Sequence, residues 1–136
     1  MSNFLGYLLS FNGNRLNNSY ISIQSFKVYP DQRIEIDAYR DANNLLHRIT
    51  STNFKTKIEF NSRGYMRLDE KRDMFNTIRK GLINETQKSY KVTYWNDDIS
   101  EYKTGVFYMP NVEYTIKRIS SNDILYEPIR IAFIEY

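Results

Sequence analysis

The sequence predicts a mainly β protein, an antiparallel β-sandwich or split barrel with one packed α-helix. Three observations indicate this fold class. Segments that alternate apolar and polar residues fill both halves of the chain, a single helical pattern lies between them, and turn signals such as Asn12-Gly13 interrupt them. Because the chain has 136 residues without a linker or an internal repeat, we expect a single domain over residues 1–136.

The first third of the chain contains two predicted strands. Residues Leu5–Phe11 alternate, and Asn12-Gly13 follows as a turn, because both residues tolerate positive φ. A second strand is expected over Tyr20–Tyr29, and Pro30-Asp31 is expected to end it in another turn.

A long hairpin is predicted over residues 33–60. Its expected strands are Arg33–Asp41, Leu45–Thr50 and Phe54–Phe60. Their polar positions form one candidate face for oligomer contacts or a water-filled lumen, made of Arg33, Glu35, Asp37, Arg48, Lys55, Lys57 and Glu59. An ordinary solvent-exposed sheet face explains the same alternation equally well.

A helix is predicted over Leu68–Ile83, where Leu68, Phe75, Ile78 and Leu82 share one face. Acidic residues at its start and basic residues at its end suit the helix dipole. The apolar stripe is expected to pack on a sheet.

The alternation of apolar and polar residues that is typical of strands returns over residues 89–136. Tyr90–Trp95 and Tyr102–Met109 are expected to pair across a turn at Asn96-Asp97-Asp98. Two further strands are expected over Tyr114–Ile119 and Ile129–Tyr136, with a loop at Ser120–Asp123 between them.

The composition favours no catalytic or cofactor-dependent activity. The chain has no cysteine, one histidine and scattered glycines, so it offers no thiolate metal site and no phosphate-binding glycine loop. We therefore predict no enzyme, no cofactor and no metal, with His47 as a polar strand residue. One alternative is a Mg²⁺-dependent nuclease, whose residue set Asp97, Asp98, Glu101 and Lys103 would supply, although an Asp-rich hairpin turn explains these residues more simply.

Binding of single-stranded nucleic acid is a second alternative. A small barrel with one inserted helix is the element order of an oligonucleotide-binding fold, and aromatic residues beside lysines can stack bases and hold phosphates. The candidate residues for stacking, or for a protein interface, are Lys91, Tyr94, Trp95, Tyr102, Lys103 and Phe107. The net charge of only +3, with both signs interspersed, argues against this alternative.

A family resemblance adds to these patterns. The segments Val92-Thr93-Tyr94-Trp95-Asn96-Asp97 and Tyr102-Lys103-Thr104-Gly105-Val106-Phe107-Tyr108 resemble a family of small, otherwise uncharacterised proteins from tail gene clusters of phages of Gram-positive bacteria. Further matches are Asn12-Gly13, Arg40, His47-Arg48, Lys55, Lys57, the predicted helix and Phe133-Ile134-Glu135. The chain departs from the family in a longer region between Pro110 and Leu125 and in Trp95, where proline is more usual.

The resemblance implies a tail-tube-like or baseplate-hub-like fold and a structural role in a phage tail, baseplate or head–tail joint. The implied partners are further copies of this chain in a ring and neighbouring tail proteins, not a membrane. The implied location is the virion, after synthesis in the host bacterial cytoplasm. The properties of sheet edges are consistent with this implied role. A long amphipathic hairpin has unpaired edges that can pair with another chain, and a closed ring of subunits removes those edges.

Overall fold

A computed structural model describes residues 4–32, 35–40, 42–44, 46–50 and 55–136. Its strands are β1 (Leu9–Phe11), β2 (Asn14–Arg15), β3 (Lys27–Gln32), β4 (Glu35–Arg40), β5 (Leu46–Thr50), β6 (Lys55–Asn61), β7 (Met66–Arg67), β8 (Leu82–Asn84), β9 (Ser89–Asn96), β10 (Glu101–Tyr108), β11 (Ile116–Ser120), β12 (Asp123–Tyr126) and β13 (Arg130–Glu135). The helix α1 covers Leu68–Arg79, and two short 3₁₀ turns cover Asn18–Tyr20 and Ile23–Ser25. The strand pairs among these residues are antiparallel. The predicted mainly β, antiparallel fold with one helix is confirmed.

The strands form three sheets. The largest has the order β2-β1-β9-β10-β13-β6-β3, and β8 also pairs with β9. A second sheet has the order β11-β12-β7, and β4 pairs with β5 in a third. In the large sheet, β9 and β10 form the predicted hairpin, whose register runs from Glu101 opposite Asn96 to Tyr108 opposite Ser89.

The predicted long hairpin corresponds to two antiparallel strand pairs, β3 with β6 and β4 with β5, which together we call the ribbon. Val28 of β3 faces Ile58 of β6, and Ala38 of β4 faces Arg48 of β5. Each pair contains a register shift, between Tyr29 and Gln32 in the first and between Glu35 and Asp37 in the second. The ribbon begins at Lys27 rather than at Arg33, and its outer part, β4 with β5, pairs with no other described strand. Arg33, Ile34 and residues 51–54 lie outside the described residues.

The hydrophobic core lies between the large sheet and α1. Four phenylalanines are fully buried, Phe11, Phe60, Phe107 and Phe133, and α1 buries Met74, Phe75 and Ile78 against them. Asp69 and Glu70 lie in the first turn of α1 and Arg79 in its last, as predicted. The stripe of α1 therefore packs on the sheet, which confirms that expectation.

The prediction of the C-terminal end of the helix was wrong. The helix ends at Arg79, and Leu82 and Ile83 belong to β8 instead. Gly81 explains the change of direction, because a Cβ atom there would lie 2.8 Å from the carbonyl oxygen of Lys91 and 3.0 Å from Cβ of Phe11. The Gly81 carbonyl accepts a hydrogen bond from the Lys91 N–H at 2.8 Å. The backbone of Gly81 therefore packs closely against β9, and the helix ends before the last turn that the sequence predicted.

The region from Tyr20 to Tyr29 also differs from its prediction. Two 3₁₀ turns occupy its first half, and only β3 is extended. The strand β3 continues through Pro30-Asp31, where a turn was predicted, and its register with β6 shifts between Tyr29 and Gln32. An edge strand tolerates proline at an irregularity of this kind. The loop predicted at Ser120–Asp123 is the tight connection between β11 and β12, and β12 was missed.

One side-chain contact fixes the first 3₁₀ turn to α1 and has a testable pH dependence. The Tyr20 hydroxyl donates to Oδ2 of Asp73 at 2.7 Å. This hydrogen bond, then burial, then the charge of Asp73 raise the pKa of Tyr20 to about 12. The folded chain therefore keeps a proton that the unfolded chain releases near pH 10.

We expect the contribution of Tyr20 to stability to be complete below pH 10 and to be lost as the pH rises through about 12. Ultraviolet absorbance titration of the wild type minus the Tyr20→Phe variant should show a late-titrating phenol. Asp73→Asn should move that titration to lower pH. An unshifted Tyr20 midpoint in the Asp73→Asn variant would contradict this assignment.

Candidate assembly surfaces

The strand β10 has a backbone edge that is only partly covered. On its second side it pairs with β13 only at Phe107 and Tyr108. The Tyr136 N–H donates to the Val106 carbonyl at 3.2 Å, so the backbone groups of even-numbered residues point to that side. At Tyr102 and Thr104 no described strand takes this position. We call these peptide groups, which have no strand partner among the described residues, the open edge of β10.

The side chain of Glu135 marks the end of the covered part. Its Oε1 accepts a hydrogen bond from the Thr56 N–H of β6 at 3.0 Å. Its Oε2 would lie 2.9 Å from a Cβ atom on Gly105 of β10. The carboxylate of Glu135, the last residue of β13, thus lies between β6 and β10, and the absence of a side chain at Gly105 leaves room for it.

The described part of the predicted polar face is a charged network. Lys55, Lys57 and Glu59 alternate with the buried Thr56, Ile58 and Phe60 on β6. Glu59 accepts hydrogen bonds from Arg130 at 2.7 Å and from the Tyr29 hydroxyl at 3.1 Å, and Lys57 lies 3.4 Å away.

Burial acts to raise the pKa of the Glu59 carboxyl, but the hydrogen bonds from Arg130 and Tyr29 and the charge of Lys57 outweigh it and lower that pKa. Glu35 and Asp37 lie in β4 and Arg48 in β5, while Arg33 lies outside the described residues. A role of this face in a lumen or in oligomer contacts stays a prediction.

Two of the predicted interface residues are internal. Tyr94 is 2% exposed and Phe107 is 0% exposed, and their rings meet edge to face with centroids 5.7 Å apart. Neither ring can stack a base or meet a partner while the sheet is intact. This corrects their assignment to the surface: in β9 and β10 the sheet pleat directs Tyr94 and Phe107 inward.

Of the other predicted interface residues, Trp95, Tyr102 and Lys91 lie on the outer face of the same hairpin, whereas Lys103 is opposite Tyr94 and so lies on the inner-facing side. Trp95 and Tyr102 pack edge to face at 5.1 Å, and Phe4 covers both rings. Tyr102 also stacks on Tyr7 at 4.5 Å. Lys91 and Lys103 are exposed strand residues. Sequence reasoning missed the N-terminal contribution of Phe4 and Tyr7 to this cluster. Nucleic-acid binding there stays a prediction.

The acidic residues considered for a nuclease lie at the tip of the β9–β10 hairpin. Asp97 and Asp98 are in the turn, and Glu101 begins β10. The Asp98 N–H donates to Oδ1 of Asn96 at 2.9 Å, which is the side-chain turn typical of asparagine. Within the described ranges no group of three or more His, Asp or Glu side chains is placed to hold a metal ion. His47 lies in β5 opposite Tyr39, in the predicted strand.

A pocket beside α1 was not found by sequence reasoning. It lies between the C-terminal half of α1 and residues 109–114, has a volume of about 290 Å³, and is lined largely by Phe75, Ile78, Tyr90, Met109, Val112 and Tyr114. We call it the helix pocket. Burial raises the pKa values of Tyr90 and Tyr114, although the nearby Arg79 opposes both shifts. Because residues 109–114 have no regular secondary structure, no periodic pattern pointed to this pocket.

These features define a class of fold: a mainly antiparallel β protein with one helix, the open edge of β10 and the ribbon. The chain belongs to a family of unknown function (DUF6711), which matches residues 1–136. No curated protein matches it. The origin of the family in phages of Gram-positive bacteria stays a prediction.

The fold is similar to that of a chain in a solved particle structure. That structure is described as the tail of an empty GTA particle, computed with helical refinement in C6 symmetry. The likeness has a TM-score of 0.54 at 8% sequence identity, and it covers 96% of this chain and 90% of the other. It therefore supports the predicted tail-like fold. In the described part of this chain, no helix is both long and apolar enough to span a membrane.

Proposed function

We propose that this chain is a structural protein of a phage tail, baseplate or head–tail joint, which associates with copies of itself in a ring and binds neighbouring tail proteins. Its place of action is then the virion, after synthesis in the bacterial cytoplasm, and its role is mechanical rather than catalytic. The likeness to a chain of a C6-symmetric tail supports this proposal.

The open edge of β10 is the observation that carries the proposal. The peptide groups at Tyr102 and Thr104, which pair with no described strand, are a template for pairing with another chain. They lie beside the outer aromatic cluster of Trp95, Tyr102 and Phe4, which supplies apolar area next to the edge. No described strand pairs with this edge, and a ring of copies can cover both the edge and the cluster.

A proline at Thr104 should block this edge. Thr104 is exposed, and its N–H points away from β9, so proline removes an edge donor without removing a β9–β10 hydrogen bond. We expect Thr104→Pro to weaken self-association at least about tenfold, a change of about 1.4 kcal/mol. Sedimentation velocity over a concentration series measures this.

Thr104→Val is the matched control. It removes the 2.8 Å contact between the Thr104 and Thr93 hydroxyls but leaves the edge N–H in place. It should associate like the wild type. Equal association of the proline variant and the wild type would reject the β10 edge as the assembly surface.

A further inference from the structure

The tip of the β9–β10 hairpin combines an apolar side chain with negative charge. Ile99 lies within the turn and is 48% exposed. Asp97, Asp98 and Glu101 surround it in sequence and are exposed. The hydrogen bond from Asp98 to Asn96 holds the turn, and Ser100 adopts a positive φ of 53°. Because the turn is already ordered, docking it costs little further conformational entropy.

The helix pocket has the complementary character. Its lining is apolar and aromatic, and its volume of about 290 Å³ is below the range typical of drug-sized ligands, about 300–1,000 Å³. Its rim carries Arg79, Lys88 and one carboxylate, Glu85. A smaller adjoining pocket shares Arg79 and adds Lys71 and Arg72. Neither Arg72 nor Arg79 forms an ion pair with a described residue.

The tip and the pocket lie at opposite ends of one hairpin. The tip follows Asn96, whereas the pocket includes Tyr90 near the start of β9 and Met109 just after β10. Eight strand residues separate the two ends by about 25 Å. A tip therefore cannot reach the pocket of its own chain. Contact between two copies would be head to tail, the geometry that builds rings or stacks.

We infer that the tip of one copy docks into the helix pocket of a second copy, with Ile99 among the apolar residues and the tip carboxylates facing Arg79, Arg72 and Lys71. This inference rests on the proposed self-association and names one of its contacts. Apolar fit supplies the affinity of the contact, and the opposite charges fix its orientation.

Cysteine crosslinking tests the contact directly, because the natural chain contains no cysteine. The double variant Ile99→Cys with Val112→Cys places one thiol on the tip and one in the pocket. A disulfide requires Cα atoms about 4.4–6.8 Å apart. Under mild oxidation we expect covalent dimers and larger multimers, at least about tenfold above the control.

The control pair is Ile99→Cys with Ile119→Cys. Ile119 is 71% exposed on β11 and does not line the helix pocket. If the wild type assembles but both pairs crosslink equally, the tip contact is overturned and the ring proposal stands. If the wild type stays monomeric at high concentration, with or without other tail proteins, both are lost.

A charge swap gives an independent readout. Asp97→Lys with Asp98→Lys, and separately Arg72→Glu with Arg79→Glu, should each weaken association at least about tenfold in low salt. Combining all four substitutions should restore it, since the charges are then complementary again. Because these positions are exposed, thermal unfolding should change little. Failure of the four-substitution variant to regain association would overturn the assigned pairing.

Discussion

Replacing Phe133 by alanine is expected to lower the free energy of unfolding by about 3–5 kcal/mol. Phe133 is fully buried on β13, and its ring meets those of Phe11 at 5.5 Å and Tyr90 at 5.9 Å. Truncation leaves a cavity where β13 joins β10 to β6. Since natural domains have only about 5–15 kcal/mol of stability in total, this variant should unfold at much lower denaturant concentration.

Two controls accompany that measurement. Phe133→Leu keeps most of the apolar volume and should cost less than about 1.5 kcal/mol. Ile23→Ala removes a side chain that is 57% exposed, so its effect should stay within about 0.5 kcal/mol. A similar loss in all three variants would mean that β13 does not occupy the centre of the core.

Removing the outer ribbon is expected to abolish assembly and to spare the fold. The variant deletes residues 33–54 and joins Gln32 to Lys55, which face each other in register, through an Asn-Gly turn. The described core side chains all lie outside the deleted segment. We expect self-association to fall at least about 100-fold, or about 2.7 kcal/mol, because the oligomer contacts that the sequence predicts for Glu35, Asp37 and Arg48 are lost.

The matched control shortens only the connection at residues 42–44 and keeps both β4 and β5. It should assemble like the wild type. Circular dichroism and sedimentation velocity together separate a folding defect from an assembly defect. A folded deletion variant that still forms wild-type oligomers would show that the ribbon has no part in assembly.

Local signals predicted the elements whose structure depends on local chemistry. Asn12 and Gly13 have the positive φ values, 51° and 85°, that their turn required. The β9–β10 hairpin follows from alternation on both sides of an Asp-rich turn. Acidic residues marked the start of α1 correctly.

Long-range contacts decided the elements that sequence reasoning missed. Leu82 continues the helical period, yet the approach of Gly81 to Lys91 and Phe11 turns the chain into β8. Tyr94 and Phe107 fit an exposed aromatic face as well as a buried one, and only the order of strands places them inside. That the whole chain is one domain stays a prediction.

The candidate surfaces were predictable to different degrees. Alternation alone located Lys55, Lys57 and Glu59 on one face of β6. The open edge at Thr104 depends on how far β13 extends, which no periodicity encodes. The helix pocket brings α1 and residues 109–114 together from distant parts of the sequence.

The register of the ribbon constrains how such a protein can evolve. The pairing shifts between Tyr29 and Gln32 and again between Glu35 and Asp37, and each shift sets which side chains of the following pairs share a face. An insertion in one arm alone would shift every outer pair by one position and exchange the two faces. Relatives with longer or shorter ribbons should therefore have gained or lost residues in equal numbers on both sides of residues 42–44, or carry a bulge that absorbs the difference.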